Sequence, residues 1–247
     1  MINELNAKAW ERVKRYLNLR VGKWRIAAPY FTNDVGRYFG QMMREAGLTP
    51  GEIKAVFAKY NDNQVPWGWF RGKGTPEQLE MATAQIAGSA GVDWETATEE
   101  GAREFMRLHG LGVDCSGFAY NVLANSLGEE KLWGCLNWEG QEKSVYKAGA
   151  KAFADRGTKV VQQGELGPLD LIYLENPDSH VVVILEKDGR LWTAQSTATA
   201  MPPGVRVDEM KMENGKPEFG FGPSRGKRWE ELYEAGKLEF RRLCIFT

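Results

Sequence analysis

The run from His180 to Thr197, HVVVILEKDGRLWTAQST, constrains this chain more than any other stretch. Two β-rich segments flank Asp188-Gly189, a dipeptide suited to a two-residue hairpin because both central positions need positive φ. Such a turn pairs Lys187 with Arg190, so position 182 faces 195 and position 180 faces 197. Side chains alternate between the faces of a strand. His180, Val182 and Ile184 therefore share one face. Gln195 lies on that face too, one diagonal step from His180 and within reach of a side-chain hydrogen bond.

Further strand signals surround this hairpin. LDLIYL at 169–174 precedes it, and KLEFRRLCIF at 237–246 reads as a final strand. The first 157 residues read differently. Apolar positions Leu5, Ala9, Trp10, Val13, Tyr16 and Leu17 recur at helical spacing over 4–20. WRIAAPYFTND follows as an extended segment into a turn. Residues 35–46 read as a helix closed by Gly47, and Thr49-Pro50 opens another. Thr75-Pro76-Glu77 starts a further helix by the same cap logic, and one more spans Glu99 to Leu108. Gly110 and Gly112 break it. Helices first and a meandering sheet afterwards predict an α+β fold, with a mainly helical N-terminal region (1–108) and a core (109–247).

Charge excludes little but is informative. The 32 basic and 33 acidic residues leave a net charge of −1, too balanced to advertise a nucleic-acid surface. No run approaches the ~18 apolar residues of a membrane span. The N-terminal stretch is amphipathic and charged, which is not the pattern of a signal peptide. The three cysteines, Cys115, Cys135 and Cys244, cannot all pair with one another, and without an export signal a disulfide framework is not expected. No Cys/His spacing fits zinc. Only His109 and His180 are available to any histidine-dependent chemistry.

One stretch does suggest chemistry. In GLGVDCSGFAYNVL (110–123), Asp114 or Cys115 falls at the start of a helix whose apolar face carries Phe118, Val122 and Leu123. A helix N-terminus presents free N–H groups and partial positive charge, which favour thiolate over thiol and can hold an oxyanion. Ser116 and Gly117 are small and leave the sulfur approachable. A free cysteine is also a common core residue, and a strand-end histidine is commonly satisfied by solvent, so both readings stand at this point. A nucleophilic Cys115 requires a histidine base and an orienting group. His180 and Gln195 meet that pattern. His109 sits at a helix end, where a cationic side chain suits the dipole.

DCSGF at 114–118, followed by LDLIYL and by SHVVVIL-turn-RLWTAQS, resembles the NlpC-type cysteine peptidases, a papain-like family of bacterial cell-wall hydrolases. The resemblance covers roughly residues 110–200. It implies a papain-like core, with Cys115 as nucleophile, His180 as base and Gln195 as the third residue. It also implies a peptide or cell-wall fragment as substrate and no metal or organic cofactor. Asp114, Ser116 and Ser179 flank these positions as substrate-binding candidates. The family's "PYxxGG" tyrosine, which lies near the nucleophile, has its nearest echo in Tyr30 of Ala28-Pro29-Tyr30-Phe31. If Tyr30 fills that role, residues from about 33 to 108 are an insertion. The family's "GD" stands here as Leu169-Asp170, without the glycine. A thiol acyltransferase or small-molecule amidase on the same core, or an inactive binding module, are the alternatives.

Other features carry less. Trp67, Trp69 and Phe70 beside Arg71 and Lys73 suit either stacking on a ligand or anchoring a loop. Gly72-Lys73-Gly74-Thr75 lacks the first glycine and the preceding strand of a phosphate loop. Asp93, Glu95, Glu99 and Glu100 read as a solvated face, and 213–228 reads as a Gly/Pro-rich loop.

Overall fold

The computed structural model of the chain describes residues 1–31, 49–51, 72–138, 143–154, 157–175, 179–213, 216–219 and 231–247. The helix expected at 35–46, the bulk of the one opened by Thr49-Pro50, and Trp67, Trp69, Phe70 and Arg71 lie outside the described residues.

Helix α1 (Ile2–Leu17) buries Ala9, Val13 and Tyr16, the stripe that its periodicity marks. It ends earlier than 20 because Leu19 enters a short hairpin, β1 (Leu19–Val21) with β2 (Trp24–Ile26), turning at Gly22 with φ +58°. Helix α2 (Pro76–Ser89) starts on a complete capping box between Thr75 and Gln78 with Pro76 in its first turn. Helix α3 (Glu99–Leu108) is capped by Thr98, whose hydroxyl accepts from Gly101 N–H at 3.0 Å. His109 closes α3, with Nδ1 2.8 Å from the Phe105 carbonyl. Helix α4 (Cys115–Leu127) is the most buried of the described helices, with Phe118, Tyr120, Val122 and Leu123 all at or below 1% exposure. Burying such side chains stabilises by roughly 1.5–3 kcal/mol each. Helix α5 (Glu129–Cys135) follows directly.

The strands are β3 (Thr158–Val160), β4 (Leu171–Leu174), β5 (His180–Lys187), β6 (Arg190–Thr197), β7 (Gly204–Glu213), β8 (Lys216–Phe219) and β9 (Leu238–Leu243). They form one antiparallel sheet in the order β3-β9-β4-β5-β6-β7-β8. The fold is α+β, as the element order predicts. Strand alternation sorts the core into two clusters. Val181, Val183, Leu185 and Ala194 face α1 and α4. Val182, Ile184, Ile172, Leu174 and Phe240 pack on the other side with Leu232 and Tyr233. The first cluster is continuous from Ala9 of α1 through Phe118 of α4 to Leu243 of β9, and Tyr16 packs on Phe118 with ring centroids 5.3 Å apart.

Two expectations need correction. Cys135 and Cys244 form a disulfide, and Cys115 alone is free. A sequence separation of 109 hides that pairing. Gly157 makes the approach possible: its carbonyl accepts from Cys244 N–H at 2.9 Å, and a side chain on it would overlap the Cys135 carbonyl at 1.8 Å. Counting cysteines cannot anticipate such a packing coincidence. Secondly, residues 216–219 are a strand where a loop is expected. Glu213 pairs with Lys216 across a sequence, Asn214-Gly215, that suits a hairpin, and Pro217 is tolerated in β8, which ends the strand order among the described residues. The rest of 220–228 lies outside the described residues.

Candidate active site

The β5–β6 hairpin has the register that its turn dictates: Lys187 pairs with Arg190 and Val183 with Ala194. Beyond Val183–Ala194 the ladder ends, although both strands continue. Residues 180–182 keep their pairing to β4, while 195–197 pair with β7. The sheet therefore splits between β5 and β6, and the N-terminus of α4 fills the split. Ser196 Oγ donates to the Val113 carbonyl at 2.6 Å, fixing the residues before the helix to β6. On β5, Ile184 directs its N–H and C=O to Asp170 and Leu169, next to β4, so the backbone groups of odd-numbered residues point into the split. Cys115 Sγ occupies that place. It lies 4.0 Å from the Ser179 carbonyl, and the Val181 backbone beside it favours the ionised sulfur.

The same split lets His180 reach the sulfur. Its side chain stands at the end of β5, half-buried, and shares a hydrogen bond with Cys115. The other imidazole edge is held: Nε2 is 2.7 Å from Gln195 Oε1, and the contact is made across the split, although the expected pairs 182–195 and 180–197 do not form because the ladder ends at Val183–Ala194. With Nε2 donating to glutamine, Nδ1 is the nitrogen left for the thiol. Gln195 is 1% exposed, and its Nε2 has no partner among the described residues. Burial pushes the Cys115 thiol up, but the charge of His180 and its hydrogen bond outweigh burial and leave the thiol below its usual range. Burial likewise opposes the imidazolium. Cys115 and Gln195 together overcome it and hold His180 above its usual range. Both directions favour moving the thiol proton to His180.

Helix α4 begins where sequence logic places it. Asp114 is the N-cap, and its Oδ1 accepts from Gly117 N–H at 2.6 Å. Phe118 N–H bonds the Asp114 carbonyl, which leaves Cys115 and Ser116 N–H without an intrahelical acceptor. Asp114 and Ser116 are buried, and their side chains are engaged with each other and with Lys73. Ser179 meets the thiol through its carbonyl, whereas its hydroxyl turns to Glu175. Tyr30 is brought from far upstream: it bridges Val113, two residues before the nucleophile, and its N–H donates to the Pro203 carbonyl at 3.3 Å.

Lys73 is the residue that sequence reasoning missed. The sequence places it only beside an aromatic cluster and in a faint echo of a phosphate loop. Here Lys73 bridges Val113, and its Nζ is 2.9 Å from both carboxylate oxygens of Asp114, at 7% exposure. The close approach of its segment is visible only in the fold, where a Cβ on Gly117 would lie 2.1 Å from the Gly72 carbonyl. Leu169 also departs from ordinary backbone. It has φ +70° at the position where the resemblance leads one to expect glycine. Asp170 beside it is clamped by Arg242 Nε and a second guanidinium nitrogen at 2.8 and 2.6 Å.

No protein-family model matches the chain, and no curated protein matches its sequence.

Proposed function

We propose that this chain is a cysteine hydrolase that cleaves an amide bond in bacterial cell-wall peptides through an acyl-enzyme on Cys115. The observation that carries the reading is the continuous Cys115–His180–Gln195 chain at the N-terminus of a buried helix. A papain-like core is supported by α4 packing on an antiparallel sheet and by the positive φ of Leu169 where the family has glycine. The substrate class rests on the resemblance of DCSGF and SHVVVIL.

In the first step the Cys115 thiolate adds to the scissile carbonyl carbon, and the carbonyl electron pair moves onto oxygen. The Cys115 N–H at the helix start stabilises that oxyanion. The tetrahedral intermediate collapses, the C–N bond breaks, and the His180 imidazolium gives its proton to the leaving amine. Neutral His180 then takes a proton from water, which attacks the thioester and releases the acid, and the thiolate–imidazolium pair is restored. Gln195 holds the ring so that Nδ1 faces sulfur in both half-reactions. The Cys135–Cys244 disulfide favours an oxidising compartment, where a cell-wall substrate is found.

The test has two parts. The rate of alkylation of Cys115 is followed against pH, for the native chain and for His180→Ala. The expected result is rapid labelling well below the free-thiol value of ~8.5, lost in the variant. Wall peptides are then incubated with the chain, and products are identified by mass spectrometry, with and without an added amine acceptor. New acid termini that vanish in Cys115→Ala support hydrolysis. Amine adducts in their place support acyl transfer, and an ordinary thiol with no product supports a binding module.

A further inference from the structure

Asp114 creates an electrostatic difficulty for its neighbour. As N-cap it must present a carboxylate to the first turn of α4, yet its charge opposes the thiolate one residue away. Both side chains are buried, so water does little to screen them. Lys73 stands at this point. Its Nζ meets Asp114 Oδ1 and Oδ2 at 2.9 Å and the Ala148 carbonyl at 3.0 Å, and it also contacts the Ser116 hydroxyl. Ser116 Oγ in turn donates to Asp114 Oδ1 at 3.1 Å.

The backbone holds Lys73 in this position. Asp114 N–H donates to the Gly72 carbonyl at 2.9 Å, and Asn121 of α4 donates to the Lys73 carbonyl at 3.0 Å. From α1, the Tyr16 hydroxyl donates to the Gly74 carbonyl at 2.7 Å; burial pushes that phenol up, so it stays neutral. Lys147, beside Ala148, is exposed. Among the described residues, the charged groups around the sulfur are therefore His180 from β5, Asp114 at the cap, and Lys73 behind the cap.

We infer that Lys73 is a positioning residue for the nucleophile: it cancels the charge of the Asp114 cap, so that the helix start can be capped by a carboxylate without suppressing the Cys115 thiolate. This inference rests on the thiolate reading proposed above. The alternative is that Lys73 only fastens its segment to α4, with no bearing on the sulfur.

The two are separated by the pH midpoint of Cys115 alkylation with iodoacetamide in four folded proteins: native, Lys73→Met, Asp114→Asn and the double variant. Asparagine is itself a good N-cap, so Asp114→Asn keeps the helix start. The expected result is a midpoint raised by about one pH unit or more in Lys73→Met, as for a like charge left nearby. Asp114→Asn should lower it, and the double variant should return it close to native. Should Lys73→Met not fold, Lys73→Gln, which keeps a donor toward Asp114 without the charge, takes its place and should raise the midpoint likewise. A midpoint unchanged in the Lys73 variant, or displaced upward in both single variants, overturns the inference while leaving the nucleophile intact. An ordinary midpoint in the native protein instead overturns the thiolate reading on which it rests.

Discussion

Gly117→Ala is a demanding test of how the site is assembled. On helix propensity alone the substitution should stabilise α4, since glycine inside a helix costs roughly 0.5–1 kcal/mol relative to alanine. The surroundings reverse the sign. The new Cβ would stand 2.1 Å from the Gly72 carbonyl oxygen and 2.9 Å from Lys73 Cα. Both are backbone atoms, so a rotamer change does not relieve the overlap, and the 72–74 segment must withdraw. Withdrawal breaks the Asp114 N–H bond to Gly72 and the Asn121 bond to Lys73, at about 1 kcal/mol each. It also pulls Lys73 from Asp114, and breaking a buried pair costs about 3–5 kcal/mol when complete. With partial relaxation and the propensity gain subtracted, the net loss is about 2–4 kcal/mol, or roughly 4–16 °C in Tm for a chain of this size. Urea and thermal unfolding followed by circular dichroism measure it. Gly88→Ala in α2 is the control, because nothing lies within 4 Å of a Cβ at that position, and it should gain a few tenths of a kcal/mol or more. A Gly117→Ala protein as stable as the control would refute the close packing of Gly72 on α4.

Three further outcomes are expected. Gln195→Leu removes the acceptor of His180 Nε2, and Cys115 alkylation at neutral pH should slow by about tenfold, the equivalent of one hydrogen bond to a charged group. The pH profiles of acylation and alkylation should separate on the alkaline side. His180 is held above its usual ~6.5, so its imidazolium is present below that raised value and lost as pH rises through it. Cleavage of an anilide substrate, which needs that proton, should fall there, while iodoacetamide labelling, which needs only thiolate, should not. Replacing Cys135 and Cys244 together with serine should lower stability by about 4–5 kcal/mol in urea titration, from the entropy of opening a loop of this length.

The legible parts of this chain were those governed by local rules. Asp188-Gly189 dictates the pairing from Lys187–Arg190 to Val183–Ala194, and the Asp114 cap dictates where α4 begins. Contacts that depend on distant segments were not legible. Lys73 reaches Asp114 across 41 positions, and nothing in its own neighbourhood marks it as an ion-pair partner. The split between β5 and β6 was hidden because residues 180–182 and 195–197 look like ordinary continuations of a hairpin. What ends the ladder is the tip of α4, an element fixed by Ser196 and Val113. Residues 216–219 were missed for a different reason. Glycine and proline were read as loop markers, although Asn-Gly and an edge proline are both compatible with a hairpin.

The disulfide and the free thiol together set a problem of timing. In the unfolded chain Cys115 lies about 20 residues from Cys135, whereas Cys244 lies 109 away. Closure of the shorter loop is favoured by about 1.5 kcal/mol, so random oxidation prefers the wrong partner by roughly tenfold. The native pairing thus depends on Cys115 being withdrawn into the sheet before oxidation occurs. Oxidative refolding is then a race between docking of α4 and disulfide formation, and a Cys115→Ala chain, freed from that competition, should recover its native bond faster and in higher yield.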